Sequence, residues 1–162
     1  MSAPGEGTRR GPGLRVRLFH WSFLLRRPMT LGARAMIVDE AAKSVFLIRH
    51  TYVPGWQFPG GGVEAGETME QALEREVLEE AEIRLDGPAA LRSIHLNRHA
   101  SRRDHVAFYV ATDWKLIAAK QPDREIAEAR FFALDSLPDG LSPATGRRIR
   151  EVMDGCAPSP YW

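Results

Sequence analysis

At 162 residues, 44% hydrophobic and 27% charged, the chain is sized for one domain with a real core. A net charge of +1 implies no overall attraction to nucleic acid or to membranes. The single cysteine, Cys156, excludes an internal disulfide and fits a reducing compartment, so a cytoplasmic location is the default expectation.

Residues 1–13 are rich in glycine and proline and read as a disordered N-terminal tail. Leu14 to Leu25 reads as a short amphipathic helix, with Arg15, Arg17, Arg26 and Arg27 around it. Packing on the domain flank is the favoured role for it, ahead of a membrane-surface or partner contact. Its apolar core, Leu18 to Leu25, contains His20 and is far shorter than the roughly 20 residues that a membrane span needs. Arg26-Arg27-Pro28 follows with no small-residue cleavage site, which argues against a signal peptide.

Thr30 to Val38 and Ser44 to His50 read as strands joined by a turn over Asp39 to Lys43. Trp56 to Pro59 reads as a short strand that delivers a glycine loop. Thr68 and Gln71 have capping-box spacing, so a helix is expected from Met69. Asp86-Gly87-Pro88 stops it. Ala89 to Leu96 and His105 to Thr112 read as antiparallel strands, and Ala127 to Ala133 as a further strand. Pro143 to Met153 reads as a terminal helix capped by Ser142 with proline in its first turn. Residues 157–162 read as a C-terminal tail, which leaves a single domain over 14–156. This order of strands, loop, helix, strands and helix fits an α+β or α/β layered domain.

The most informative stretch runs from Gly60 to Ile83, GGGVEAGETMEQALEREVLEEAEI. A helix advances about 100° per residue, so Glu76, Glu79 and Glu80 fall within roughly 100° of arc. Met69, Leu73, Val77 and Ala81 form a separate apolar stripe at four-residue spacing. The acids therefore lie where a buried helix would meet a cleft. Arg75 lies one turn before Glu79 and can orient it by an i,i+4 ion pair. Converging carboxylates ask for a hard cation such as Mg²⁺, and the triple glycine lets backbone approach a ligand closely. A solvated acidic face is the plainer reading. It loses ground because like charges at this spacing repel and because the glycine loop directly upstream needs a reason.

Gly61, Glu67, Arg75, Glu76, Val77, Glu79, Glu80 and Ile83 resemble the Nudix box. That pattern is Gly, five residues, Glu, seven residues, then Arg-Glu-apolar-any-Glu-Glu-any-Gly-apolar. One position departs: Glu82 stands where the family has glycine. A left-handed helix end suits glycine, so Glu82 either extends the helix or accepts strain. The resemblance implies an α/β/α sandwich of α+β class, with a mixed sheet between helices. It also implies hydrolysis of a nucleoside diphosphate linked to another group, by water attack at phosphorus with Mg²⁺ or Mn²⁺. Carried over residue by residue, Glu76, Glu79 and Glu80 would be metal-binding acids, the Gly61 carbonyl a backbone ligand, and Glu67 and Arg75 the groups that hold loop and helix. Gly62 belongs to the same structural loop. One of the helix glutamates would be the general base.

Many members of that family draw another acid from the loop before the last strand. Glu125 is the candidate here, with Glu128 in reserve. Arg102 and Arg103 could clamp phosphate, because guanidinium matches phosphate bidentately. Arg49 and Tyr52 precede the glycine loop, where Tyr52 could stack on a base; Trp56 reads as core. Subgroup signatures for ADP-ribose, diadenosine polyphosphates and NADH are missing. Asn97-Arg98-His99 carries no proline, Ser101-Arg102 no tyrosine, and no Ser-Gln-Pro-Trp-like run follows the box. A nucleoside triphosphate or related small nucleotide is the least committed substrate, with no nucleic-acid partner expected and a homodimer left open. Two alternatives stand beside it. One is a non-catalytic nucleotide sensor, which the retained acids disfavour. The other is an isoprenoid-diphosphate isomerase, which would need a cysteine at the site.

Overall fold

The computed structural model describes residues 28–162. The expected 1–13 tail and the expected Leu14–Leu25 helix lie outside them. In chain order the strands are β1 (Thr30–Asp39), β2 (Ser44–His50), β3 (Trp56–Gln57), β4 (Gly60–Gly62), β5 (Ile83–Leu85), β6 (Ala90–Leu96), β7 (Asp104–Ala111), β8 (Trp114–Leu116) and β9 (Ile126–Ala133). The helices are α1 (Met69–Ala81) and α2 (Pro143–Met153).

β1 organises the molecule. Successive side chains of a strand point to opposite faces. Ala33, Ala35 and Ile37 enter one core cluster, while Met36 and Val38 enter the other. A strand covered on both faces carries a near-continuous apolar run, as Ala35 to Val38 does. β7 lies parallel to β1, from Thr30 opposite Asp104 to Ile37 opposite Ala111. Every other pairing in this seven-stranded sheet is antiparallel: β2 and β4 on β1, β3 and β9 on β2, and β6 on β7.

α1 covers one face through Leu73, Val77 and Ala81, all buried, with Met69 packed at the edge. α2 covers the other through Ile149 and Val152. The result is the expected mixed sheet between two helices. Thr68 caps α1 as its spacing predicted: its hydroxyl accepts from the Gln71 amide, and the Gln71 side chain accepts from the Thr68 amide. Ser142 caps α2, its hydroxyl accepting from the Thr145 amide. No helix among the described residues is long and apolar enough to cross a membrane.

Three features differ from the sequence reading. The glycine loop is itself a strand, β4, paired with β1. β5 and β8 form a separate two-stranded ribbon. The expected C-terminal tail is packed: the Leu96 amide donates to the Pro160 carbonyl at 3.0 Å, and the Trp162 amide to the Leu96 carbonyl at 3.1 Å.

Candidate functional site

β4 needs glycine for steric reasons at Gly60, and a side chain at Gly61 would displace the Glu76 carboxylate. Gly60 has φ +135°, and a Cβ there would stand 2.1 Å from the Ala33 carbonyl oxygen. A Cβ on Gly61 would stand 2.4 Å from the Glu76 carboxylate. Gly62 has open space around it, and its carbonyl is what the structure uses: Arg75 Nη2 donates to it at 3.2 Å. The same guanidinium donates to both Glu67 oxygens, at 2.8 and 3.0 Å, and to Glu76 Oε1 at 2.7 Å. Arg75 therefore fastens the loop to the helix. Its expected pair with Glu79 is the loosest of these contacts, at 3.5 Å. Two hydrogen bonds from Arg75 hold the Glu67 carboxyl down to about 2.

The acids converge. Glu76, Glu79 and Glu80 line one shallow pocket with Glu125, together with Asp123 and Ile126. Glu80 is buried, and its Oε2 accepts from the Gly60 amide at 2.7 Å. Burial pushes its carboxyl up to about 7, opposed by the Arg34 charge and the Gly60 hydrogen bond. His50 Nε2 lies 3.6 Å from Glu80 Oε1. Burial, reinforced by Arg34, lowers the His50 pKa. His50 follows a register shift in the β2–β9 pairing, of the kind that re-aims a side chain.

The loop that carries Glu125 is anchored by groups that no sequence pattern singled out. Lys120 Nζ donates to the Glu79 carbonyl and to Asp123 Oδ2, both at 2.7 Å. Asp123 Oδ1 accepts from the Glu125 and Ile126 amides, which with Lys120 hold its carboxyl down to about 2. The Thr51 amide donates to the Glu125 carbonyl at 2.9 Å.

β4 also borders a cavity of about 1140 Å³. Thr30, Gly32 and Arg34 of β1, Asp104 and Val106 of β7, Gly61, Gly62, Asn97, Arg147 and Trp162 are among its walls. A space of this size accepts a nucleotide-sized ligand.

The family model of the NUDIX domain matches residues 29–153. The chain belongs to the NUDIX family. The crystal structure of the MutT NUDIX hydrolase from Burkholderia pseudomallei is similar, with a TM-score of 0.65 at 29% identity, covering 76% of this chain and 97% of that one. The 8-oxo-dGTP diphosphatase of Proteus vulgaris is 38% identical over 89 residues, 52% of this chain and 79% of that protein. A Bacillus subtilis (strain 168) protein provisionally described as an 8-oxo-dGTP diphosphatase is 27% identical over 126 residues, 78% of this chain and 81% of that protein. The chain is a Nudix hydrolase.

Among the described residues, no three histidine, cysteine or acidic groups stand together as a ready-made metal cage. The four carboxylates that line the shallow pocket nevertheless suit a hard divalent cation, since all their donors are oxygen. Mg²⁺ binds through one or two carboxylates and keeps waters and substrate phosphates in its remaining positions, so a closed cage is not required. The buried Glu80 carboxyl, held near neutrality by desolvation, is a group that a nearby cation would ionise.

The remaining predicted residues scatter. Arg49 pairs with Glu128 at 3.0 Å and stands over the Trp56 ring, which is buried as expected. Tyr52 is exposed and lines a side pocket with Arg49, next to the large cavity at Val53 and Pro54. Arg102 and Arg103 are exposed at the β6–β7 turn and line none of these spaces. Cys156 is exposed and lines none of them either. The sequence reading passed over Arg34, which stands between the cavity and the buried acid and donates to the Phe58 carbonyl at 2.9 Å. Its signal was a lone charge inside an apolar strand.

Proposed function

We propose that this Nudix hydrolase cleaves the diphosphate linkage of a nucleoside triphosphate or a related nucleoside diphosphate derivative, by water attack at phosphorus. Glu76, Glu79, Glu80, Glu125 and the Gly61 carbonyl would hold Mg²⁺ or Mn²⁺. Bound there, such a cation neutralises phosphate charge and lowers the pKa of a coordinated water. Arg75 keeps Glu76 against Gly61 and fixes Glu67. Lys120 and Asp123 set the loop from which Glu125 projects. One of the helix glutamates takes the proton that the attacking water gives up. The water oxygen bonds to phosphorus as the bridging P–O bond breaks, and the departing phosphate carries away the bond's electron pair. Arg34, between cavity and acids, places positive charge where the phosphate chain would cross.

The observation that carries this reading is that β4 touches both: Gly60 and Gly61 meet the Glu80 and Glu76 carboxyls, while Gly61 and Gly62 line the large cavity. The relatives named as 8-oxo-dGTP diphosphatases support a nucleoside triphosphate. The test is product-resolved hydrolysis, with and without Mg²⁺, of unmodified and oxidised nucleoside triphosphates, ADP-ribose, dinucleoside polyphosphates, NADH and nucleotide sugars. Metal-dependent release of a nucleoside monophosphate, lost in a folded Glu79→Gln variant, is the expected result. Undiminished turnover in Glu79→Gln would remove the metal site from this account.

A further inference from the structure

We propose that the end of the cavity nearest the C-terminal segment is a nucleobase site, where Trp162 stacks on the base and Asp104 reads its edge, selecting guanine. The inference rests on the cavity being the nucleotide space proposed above.

Two independent observations meet there. The first is an aromatic wall. Trp162 lines the cavity and is half-buried. Its ring is backed by His95 and Phe108, with centroids at 5.6 and 6.1 Å, and by the Arg148 guanidinium at 5.8 Å. Its backbone is fixed at both polar atoms: the amide donates to Leu96, and the carbonyl accepts from Arg147 Nη2 at 2.6 Å. A half-buried ring that lines the cavity and packs against fixed groups can serve as a stacking platform, and base stacking on an aromatic ring tolerates any base.

The second observation supplies discrimination. Asp104 lines the same cavity, and both its oxygens are already fixed. Oδ1 accepts from the Thr30 hydroxyl at 2.6 Å and Oδ2 from the Asn97 amide group at 2.8 Å. Each carboxylate oxygen keeps a further lone pair. Asn97 directly follows Leu96, whose backbone holds Trp162, so edge reader and platform are neighbours. Two adjacent acceptors match a base edge with two adjacent N–H donors. Guanine presents that edge, through N1–H and its exocyclic amine. Adenine and cytosine place an acceptor beside their amine, and uracil flanks its single N–H with carbonyls. Oxidation at C8 leaves the guanine edge unchanged, so this contact separates guanine from adenine without regard to oxidation.

Calorimetric titration of the full chain with GMP, 8-oxo-GMP and AMP tests this without requiring turnover. GMP and 8-oxo-GMP should bind alike, and each roughly tenfold or more tighter than AMP. Asp104→Asn, at a half-buried strand end and nearly isosteric, should keep the fold and lose that preference. Trp162→Leu should weaken all three ligands by about tenfold, and Trp162→Phe should restore most of the loss. Equal affinity for GMP and AMP, no binding of either, or an Asp104→Asn variant that keeps the preference would overturn the proposal. Nucleotide hydrolysis without a guanine preference sinks this inference alone. Guanine-selective binding without hydrolysis sinks the functional reading alone.

Discussion

Arg75 shows how much one side chain can fix. Its guanidinium reaches Glu67, Glu76 and the Gly62 carbonyl at once, so the glycine strand, the turn after it and α1 share one hub. The Glu67 carboxyl is held down to about 2 from an ordinary value of 4.5. A carboxylate with a depressed folded-state pKa adds stability above its unfolded pKa, and that stability is lost as pH falls through the folded pKa. Thermal unfolding of the protein and of Glu67→Gln should therefore differ most at neutral pH. The gap should hold down to a pH of about 4.5 and close toward about 2. A gap of constant size across that range would separate Glu67 from this ion pair.

α1 is the element in which sequence and structure agree most closely. Its start, its cap, its buried stripe and its acidic edge all follow from spacing, because a capped amphipathic helix repeats its pattern over several turns. Its end was the open question. Glu82 takes the left-handed conformation, φ 53° and ψ 35°, with its amide donating to the Leu78 carbonyl at 3.0 Å. It does not extend the helix. A left-handed L-residue costs about 1 kcal/mol, and glycine relieves part of that. Glu82→Gly should thus raise stability by about 0.5 to 1 kcal/mol in chemical denaturation. No gain would mean that the Glu82 carbonyl, which accepts from the Ile117 amide at 2.8 Å, already sets this geometry. β4, β5 and β8 escaped the sequence reading for a different reason. Each has three residues in register, too few to display a period of two, and each forms only because a distant partner meets it. Glu125 could be proposed from its place before β9. Its anchor Lys120 could not, because that contact runs to a backbone carbonyl 41 residues away.

The two faces of the sheet are held differently. The α1 face is an apolar cluster. The α2 face contains a fully buried arginine, Arg148, bonded through Nη2 to Glu151 Oε1, which also accepts from the Ser159 amide. His95 lies against the same guanidinium and meets the Ser159 carbonyl at 2.7 Å. The network ties the C-terminal segment to α2 and β6, which is why residues expected as a tail form a wall. Removing one partner of a buried ion pair leaves the other uncompensated, so Arg148→Ala should cost about 3 kcal/mol. Hydrogen exchange should also speed up at the Trp162 amide. Stability within about 0.5 kcal/mol of the parent would show that this network contributes little. None of this was legible beforehand, since an arginine in an amphipathic helix ordinarily faces water.

β4 has a further consequence. Its three residues without side chains touch both compartments, with Gly60 and Gly61 against the Glu80 and Glu76 carboxyls and Gly61 and Gly62 in the cavity wall. The cavity is lined from β1, β4 and the loop after it, β7, α2, the C-terminal segment and the connections before β3 and β7, while the rim comes from α1 and the loop before β9. No residue lines both. Such a division lets a lineage redecorate one compartment by mutation while the other is inherited intact, so a single hydrolytic apparatus can be refitted to new molecules.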